Sequence, residues 1–202
     1  MIRAILFDVD GVLINGPGFH KKLNLEFGIS NSQMQDFFKS EFKDCLVGKS
    51  DIKEVLPSYL KLWGWPFCVN DFLNYWHKIE SAVDTDLTSY IKVIKSNGIK
   101  CYLATNQEIN RANYLINELG FSKIFDKIYV SADIGYKKPS LEFFSHIIND
   151  LNGLGINEIL YWDDSNENIE AALKLGINAE LYTNFAEFKL RMKYYLNVSQ
   201  VS

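Results

Sequence analysis

Two carboxylates, Asp8 and Asp10, stand two positions apart in the run Phe7-Asp8-Val9-Asp10-Gly11-Val12-Leu13-Ile14. They follow Ala4-Ile5-Leu6-Phe7, a short apolar run that reads as a buried strand. Alternation along an extended chain points both acids the same way. The C-terminal edge of an open α/β sheet is where such folds bind ligands. Two like charges there repel unless a cation or a shared proton intervenes. The pair suits magnesium-assisted chemistry, with one carboxylate as nucleophile and the other as acid/base. A plain Asp-Gly turn accounts for the same residue types.

Three later segments bear on that choice. Leu103-Ala104-Thr105-Asn106 reads as a strand end entering a helix. A hydroxyl and free backbone N–H groups at a helix start offer an anion site, although Thr105 as a simple helix cap explains the residue equally well. In Gly135-Tyr136-Lys137-Lys138-Pro139-Ser140, a lysine just before a helix-opening proline can aim its ammonium at the sheet edge. There it would neutralise a phosphoryl group and a carboxylate. A solvated lysine pair is the alternative. In Tyr161-Trp162-Asp163-Asp164-Ser165-Asn166, an apolar strand runs into adjacent acids. Such a pair is costly to desolvate without a cation, and magnesium prefers carboxylate oxygens, waters and substrate phosphate. Helix capping needs only one of the two acids.

These segments require elements that bring them to one edge. From about residue 85 the sequence alternates helix and strand. Strands are expected at 99–104, 128–130, 159–162 and 179–182. Between them lie amphipathic helices through Leu87, Ile91 and Ile94, through Ala112, Leu115 and Leu119, through Leu141, Phe144 and Ile148, and through Ile169 and Ala172. Thr105 and Glu108 have capping-box spacing, as do Asn184 and Glu187 before a closing helix. Short apolar strands separated by helices predict parallel pairing, hence an α/β, doubly wound, Rossmann-like sheet. Residues 16–82 carry no strand pattern. Helices are expected there over 19–27, 32–42, 51–63 and 71–81, with Trp63, Trp65, Phe67, Phe72, Tyr75 and Trp76 as core material. The organisation predicted is a catalytic core of 1–15 and 83–202 with a helical cap of 16–82. The last few residues are expected to fray.

Composition narrows the classes. The chain has 202 residues, 48% hydrophobic and 23% charged, which suits one α/β domain with a modest insertion. The net charge of −4 without a basic stripe argues against nucleic acid as a partner. Cys45, Cys68 and Cys101 are odd in number and far apart, so neither a disulfide framework nor a zinc site is expected. His20, His77 and His146 are scattered and read as surface or packing residues. The strand pattern begins next to Met1, with no leader pattern and no long apolar run. A cytoplasmic protein without a membrane partner is the expectation, as a monomer or homodimer.

Taken in order, Asp8-Val9-Asp10-Gly11, Thr105, Lys138-Pro139 and Asp163-Asp164 resemble the four motifs of the haloacid dehalogenase superfamily. The resemblance covers residues 1–15 and about 83–202, and the insertion has the position and size of that family's helical cap. It implies a magnesium-dependent phosphatase acting on a small phosphorylated metabolite, a sugar phosphate or nucleotide. Asp8 would be the nucleophile and a metal ligand. Asp10 would be the acid/base, with its carbonyl facing the metal. Thr105 and Asn106 would hold phosphoryl oxygens, and Lys138 would balance charge. Asp164 would bind the metal directly and Asp163 through water. An acid at Asp10 favours phosphate esters over halides, since halide leaves unprotonated. A sugar-phosphate mutase and a non-catalytic scaffold on the same fold are the alternatives. Within the insertion, Gly48-Lys49-Ser50-Asp51 breaks two helices, and Lys49 either contacts substrate or sits on an exposed turn.

Overall fold

The computed structural model describes residues 1–16 and 18–196. The expected fraying falls on 197–202, outside the described residues. Five parallel strands, β1 (Ala4–Phe7), β2 (Lys100–Thr105), β3 (Lys127–Val130), β4 (Ile159–Asp163) and β5 (Asn178–Leu181), form one sheet in the order β3-β2-β1-β4-β5. The order turns at β1, so the crevice beside β1 is the expected ligand position of a doubly wound sheet.

Period-two alternation sorts each central strand onto two faces. Ile5 and Phe7 of β1, with Leu160 and Trp162 of β4, join one core. Ala4 and Leu6, with Ile159 and Tyr161, join the other. The first core is covered by α6 (Thr85–Ser96), by α7 (Ile109–Asn113) with the π-helical turn Tyr114–Glu118 that continues it, and by α11 (Phe185–Tyr195). The second is covered by α9 (Leu141–Asp150) and α10 (Asn166–Lys174), with the single turn α8 (Ser131–Ile134) after β3. Phe7 pairs with Trp162, so the next residue on each strand, Asp8 and Asp163, emerges beside its neighbour on the second face.

Between β1 and α6 lie α1 (Phe19–Phe27), α2 (Asn31–Lys39), α3 (Glu41–Cys45), α4 (Ile52–Trp63) and α5 (Val69–Ile79). Phe19, Phe37, Trp63, Phe72 and Trp76 anchor a separate apolar cluster there. The helix expected over 32–42 is two helices, broken at Ser40, whose hydroxyl turns back to the Asp36 carbonyl and to Glu41. The insertion is tied back to the core at several points. Asn15 N–H donates to the Ala82 carbonyl (3.2 Å), and Ile14 bridges Val83. Ser131 Oγ donates to the Leu46 carbonyl (2.6 Å). Gly48, at φ +70°, passes so close to Ala132 that a Cβ would stand 2.2 Å from its carbonyl oxygen. A second reason for glycine there is the positive φ itself. Cys45, Cys68 and Cys101 are free thiols. No helix among the described residues is long and apolar enough to cross a membrane.

His77, on α5, is buried against α7 of the core. Among the described residues its Nε2 has no hydrogen-bond partner, and it lies 3.9 Å from Glu108 Oε1. Burial, reinforced by Arg111 and Lys53, lowers its pKa from 6.5 to about 3. A base whose folded pKa is depressed stabilises the fold fully above its unfolded pKa. That stability is withdrawn as pH falls from 6.5 towards 3, by up to about 1.4 kcal/mol per pH unit. Substituting His77→Phe removes the titration. Its stability relative to wild type is expected to improve steadily in urea melts taken from pH 7 to pH 5. A gap that stays constant across that range would contradict the assignment.

Candidate active site

Lys138 is the hub of the site. The residue is 2% exposed, and its Nζ lies 2.7 Å from Asp8 Oδ1 and 2.7 Å from Asp163 Oδ2. Its backbone is held from the other side by Asn106. Asn106 Nδ2 donates to the Lys138 carbonyl (3.0 Å), and Lys138 N–H donates to Asn106 Oδ1 (2.8 Å). The Lys138–Pro139 peptide is cis. Pro139 lies just before the true cap of α9, which is Ser140, whose hydroxyl accepts from Phe143 N–H. Lys137 is half-buried and outside this network.

Asp163 accepts from four donors. Besides Lys138 these are Tyr161 OH, Ser165 N–H (2.8 Å) and Asn168 Nδ2, which sits 3.0 Å from both carboxylate oxygens. Burial works against its charge, but Lys138, Tyr161 and Asn168 hold its pKa below the usual carboxylate value. For Asp8, burial dominates instead. It raises the carboxyl to about 7, with Lys138 pulling down and Asp163 pushing up. Burial likewise opposes the Lys138 charge, yet the two carboxylates hold the ammonium above its ordinary value.

Asp164 is different. It is exposed, accepts no side-chain hydrogen bond from another residue among those described, and has its pKa raised by burial, then by Asp163 and Asp10. It lies against Gly11, where φ is +81° and a Cβ would come 2.0 Å from Asp164 Oδ2. Asp8, Asp163 and Asp164 each offer an oxygen within 4.8 Å of the others. Hard carboxylate oxygens this close together fit magnesium, which takes one or two carboxylates and keeps waters.

Asp10 sits on the loop after β1. Gln107 Nε2 donates to Asp10 Oδ2 (2.6 Å) and to Thr105 Oγ1 (3.2 Å). Arg111 Nη2 lies 4.0 Å from Asp10 Oδ1. Thr105 is buried at the end of β2. The helix expected to start at Thr105 starts instead at Ile109, because Glu108 accepts from Asn110 and Arg111 N–H and takes the cap position. Thr105 is therefore a strand-end hydroxyl and not a helix cap. Gln107, Arg111, Tyr161 and Asn168 were not singled out by spacing. The one signal for Arg111 is a charge on a helix face that otherwise packs inward. Lys49 is exposed on the loop beside Gly48. Among the described residues no hydrogen bond or ion pair joins it to the acids.

The model of the haloacid dehalogenase-like hydrolase family matches residues 5–181, and the chain belongs to that family. Two fungal proteins match about half of the chain. A drimenol cyclase of Aspergillus calidoustus is 25% identical over 103 residues, and a sesquiterpene phosphatase of Aspergillus oryzae is 32% identical over 95. The matched segment is 19% of the first protein and 47% of the second, so the chain spans less than half of either. A D-ribitol-5-phosphate phosphatase of Bacteroides thetaiotaomicron is 23% identical over 212 residues, covering 98% of this chain and 100% of that one. Among solved structures, a HAD-like hydrolase from Porphyromonas gingivalis has a TM-score of 0.80 at 21% identity, covering 98% of both chains. A HAD-family enzyme from Bacteroides thetaiotaomicron, in complex with magnesium and inorganic phosphate, has a TM-score of 0.78 at 19% identity, covering 93% of this chain and 99% of that one. These structures share the fold.

Leaving a buried charge with no partner costs about 3–5 kcal/mol, and removing one of the two carboxylates on Lys138, which keeps Asp8, should cost part of that, about 2–3 kcal/mol. Asp163→Asn, which keeps the shape, is expected to lose that much in metal-free urea unfolding. Lys137→Ala should shift the same midpoint by less than about 0.5 kcal/mol. A loss at Asp163 as small as that at Lys137 would remove Lys138 from the centre of the site.

Proposed function

We propose that the chain is a magnesium-dependent phosphomonoester hydrolase working through an aspartyl phosphate on Asp8, with a small phosphorylated metabolite as substrate. The observation that carries this is the convergence, at one sheet edge, of a lysine-bridged Asp8, an unsatisfied Asp164 and a second carboxylate, Asp10, placed two residues after the first.

The roles follow from chemistry. Asp8 Oδ attacks phosphorus while the bond to the leaving oxygen breaks, and Asp10 gives that oxygen its proton. In the second step Asp10 takes a proton from water, the water oxygen bonds to phosphorus, and Asp8 is released. Thr105 Oγ1 holds a phosphoryl oxygen. Asn106 spends its amide on Lys138, which leaves its backbone N–H for the phosphoryl group. Lys138 keeps positive charge beside the reacting oxygens and cannot swing away, because both its ammonium and its backbone are fixed. Asp8 and Asp164 would hold the magnesium with the Asp10 carbonyl, and Asp163, spent on four donors, would act through water. When bound, magnesium supplies the positive charge that keeps Asp8 ionised and polarises the phosphoryl group.

The inserted helices form a cap over the site, across 16–82, that excludes water during the reaction. Beside Asp10 lies a cleft of about 150 Å³ lined by Asp10, Gly11, Ile14, Gly16 and Glu80. Its size and its two acids favour a small, uncharged, hydroxylated leaving group over a nucleotide or a bisphosphate. The named activity of the B. thetaiotaomicron relative, on a pentitol phosphate, agrees with that preference.

Phosphate release from a panel of sugar phosphates, polyol phosphates, nucleotides and a chromogenic ester should require magnesium and be highest for the small polyol esters. Asp8→Asn should abolish it, and Asp10→Asn should slow it by about 10²–10⁴-fold. Near-normal release by either variant would overturn the mechanism. A preference for nucleotides would overturn the substrate class alone.

A further inference from the structure

Asp10 is not held by its own loop. Two of its polar neighbours, Gln107 and Arg111, come from the segment after β2; Arg111 is bonded directly to the insertion and Gln107 is linked to it through Ser131. Gln107 Nε2 is 2.6 Å from Asp10 Oδ2 and 3.2 Å from Thr105 Oγ1, so one amide links the carboxylate to the hydroxyl beside it. The Gln107 backbone is in turn fixed by Ser131. The Ser131 hydroxyl accepts from Gln107 N–H (3.0 Å) and gives its proton to the Leu46 carbonyl of the insertion. Arg111 makes the second link. It is 4% exposed, and its guanidinium donates to the carbonyls of His77 (3.2 Å) and Glu80 at the C-terminal end of α5. Those carbonyls have no partner inside the helix, and a cation is favoured there. The same guanidinium is 4.0 Å from Asp10 Oδ1.

From this we infer that Gln107 and Arg111 are positioning residues that set the Asp10 carboxylate for proton transfer, and that they do so only while α5 and the Leu46–Gly48 loop are seated on the core. The inference rests on the phosphatase reading above. A buried arginine has five donors in a rigid fork, so it can cap a helix end and face a carboxylate together. A glutamine amide can fix one oxygen of a carboxylate and leave the other free to carry the proton. Displacing the insertion would remove the α5 carbonyls that hold Arg111 and the Leu46 carbonyl that orients the Ser131 hydroxyl toward Gln107. Asp10 would then lose its orientation when no substrate is enclosed. In that way the chain avoids assembling its acid/base in an open, wet site.

The test exploits leaving-group chemistry. Proton donation by Asp10 matters for an alkoxide leaving group and little for nitrophenolate. The quantity kcat/KM covers only steps up to phosphoenzyme formation, so it isolates the protonation step from the later attack of water. In Gln107→Met, which keeps the length and loses the donor, the ratio of kcat/KM for glycerol phosphate to that for p-nitrophenyl phosphate should fall by about 10-fold or more, part of the usual general-acid contribution. Arg111→Met should lower the same ratio, and Arg111→Lys should restore it in part. Should Arg111→Met fail to fold, Gln107→Met carries the test alone. Equal losses on the two esters, or no loss, would overturn the positioning role and leave the phosphatase reading intact. A wild-type protein that releases nothing from either ester would overturn the phosphatase reading beneath it.

Discussion

A single buried cation holds this molecule's chemistry together. Lys138 lies between Asp8 and Asp163 at 2.7 Å from each, with almost no access to water. Three carboxylates at adjacent strand ends would otherwise repel and take up protons. The lysine compensates two of them internally, and on the proposed function the third, Asp164, is left for a metal. The arrangement depends on register. Because Phe7 pairs with Trp162, Asp8 and Asp163 emerge on the same face, the face onto which the segment before α9 also packs. A shift of one residue in either strand would turn one acid to the opposite face and strand the lysine.

The two acids of each pair have divergent environments, which is how similar carboxylates come to do different work. Asp8 is buried with one cation, while Asp10 is on a loop, open to solvent, and held by an amide. Asp163 is saturated with donors, while Asp164 has none from another residue among those described and lies against Gly11, whose missing side chain makes room for its carboxylate. The sheet edge thus supplies a fixed half, made of Asp8, Lys138 and Asp163. It also supplies an adaptable half, made of Asp10 and Asp164, whose partners come from the metal, the substrate and the seated insertion.

Much of this was legible in the sequence, for local reasons. The five strands are short apolar runs bounded by turn residues, and each lies within a residue of its expected position. The acids and the lysine announce themselves because charge directly after a buried strand is expensive unless used. The helix at Thr105 was misplaced because Thr105 and Glu108 satisfy capping-box spacing, while the actual cap is Glu108 itself. Gln107 and Arg111 could not be found by spacing. Their partner Asp10 is about a hundred positions away in the chain, and the parallel pairing of β1 with β2 brings the segments that follow them together. The break at Ser40 was hidden for a similar reason, since Met34, Phe37, Phe38 and Phe42 keep an apolar pattern across it.

The central claim is that Asp8, held by Lys138, bonds to phosphorus. The most direct measurement is acid quench during turnover of a chromogenic phosphate with magnesium, followed by intact mass and by mapping of the adduct after borohydride reduction. A transient gain of one phosphoryl group located at Asp8, absent from Asp8→Asn, is the result expected. Turnover with no adduct at any time point, or an adduct on another residue, would contradict the account.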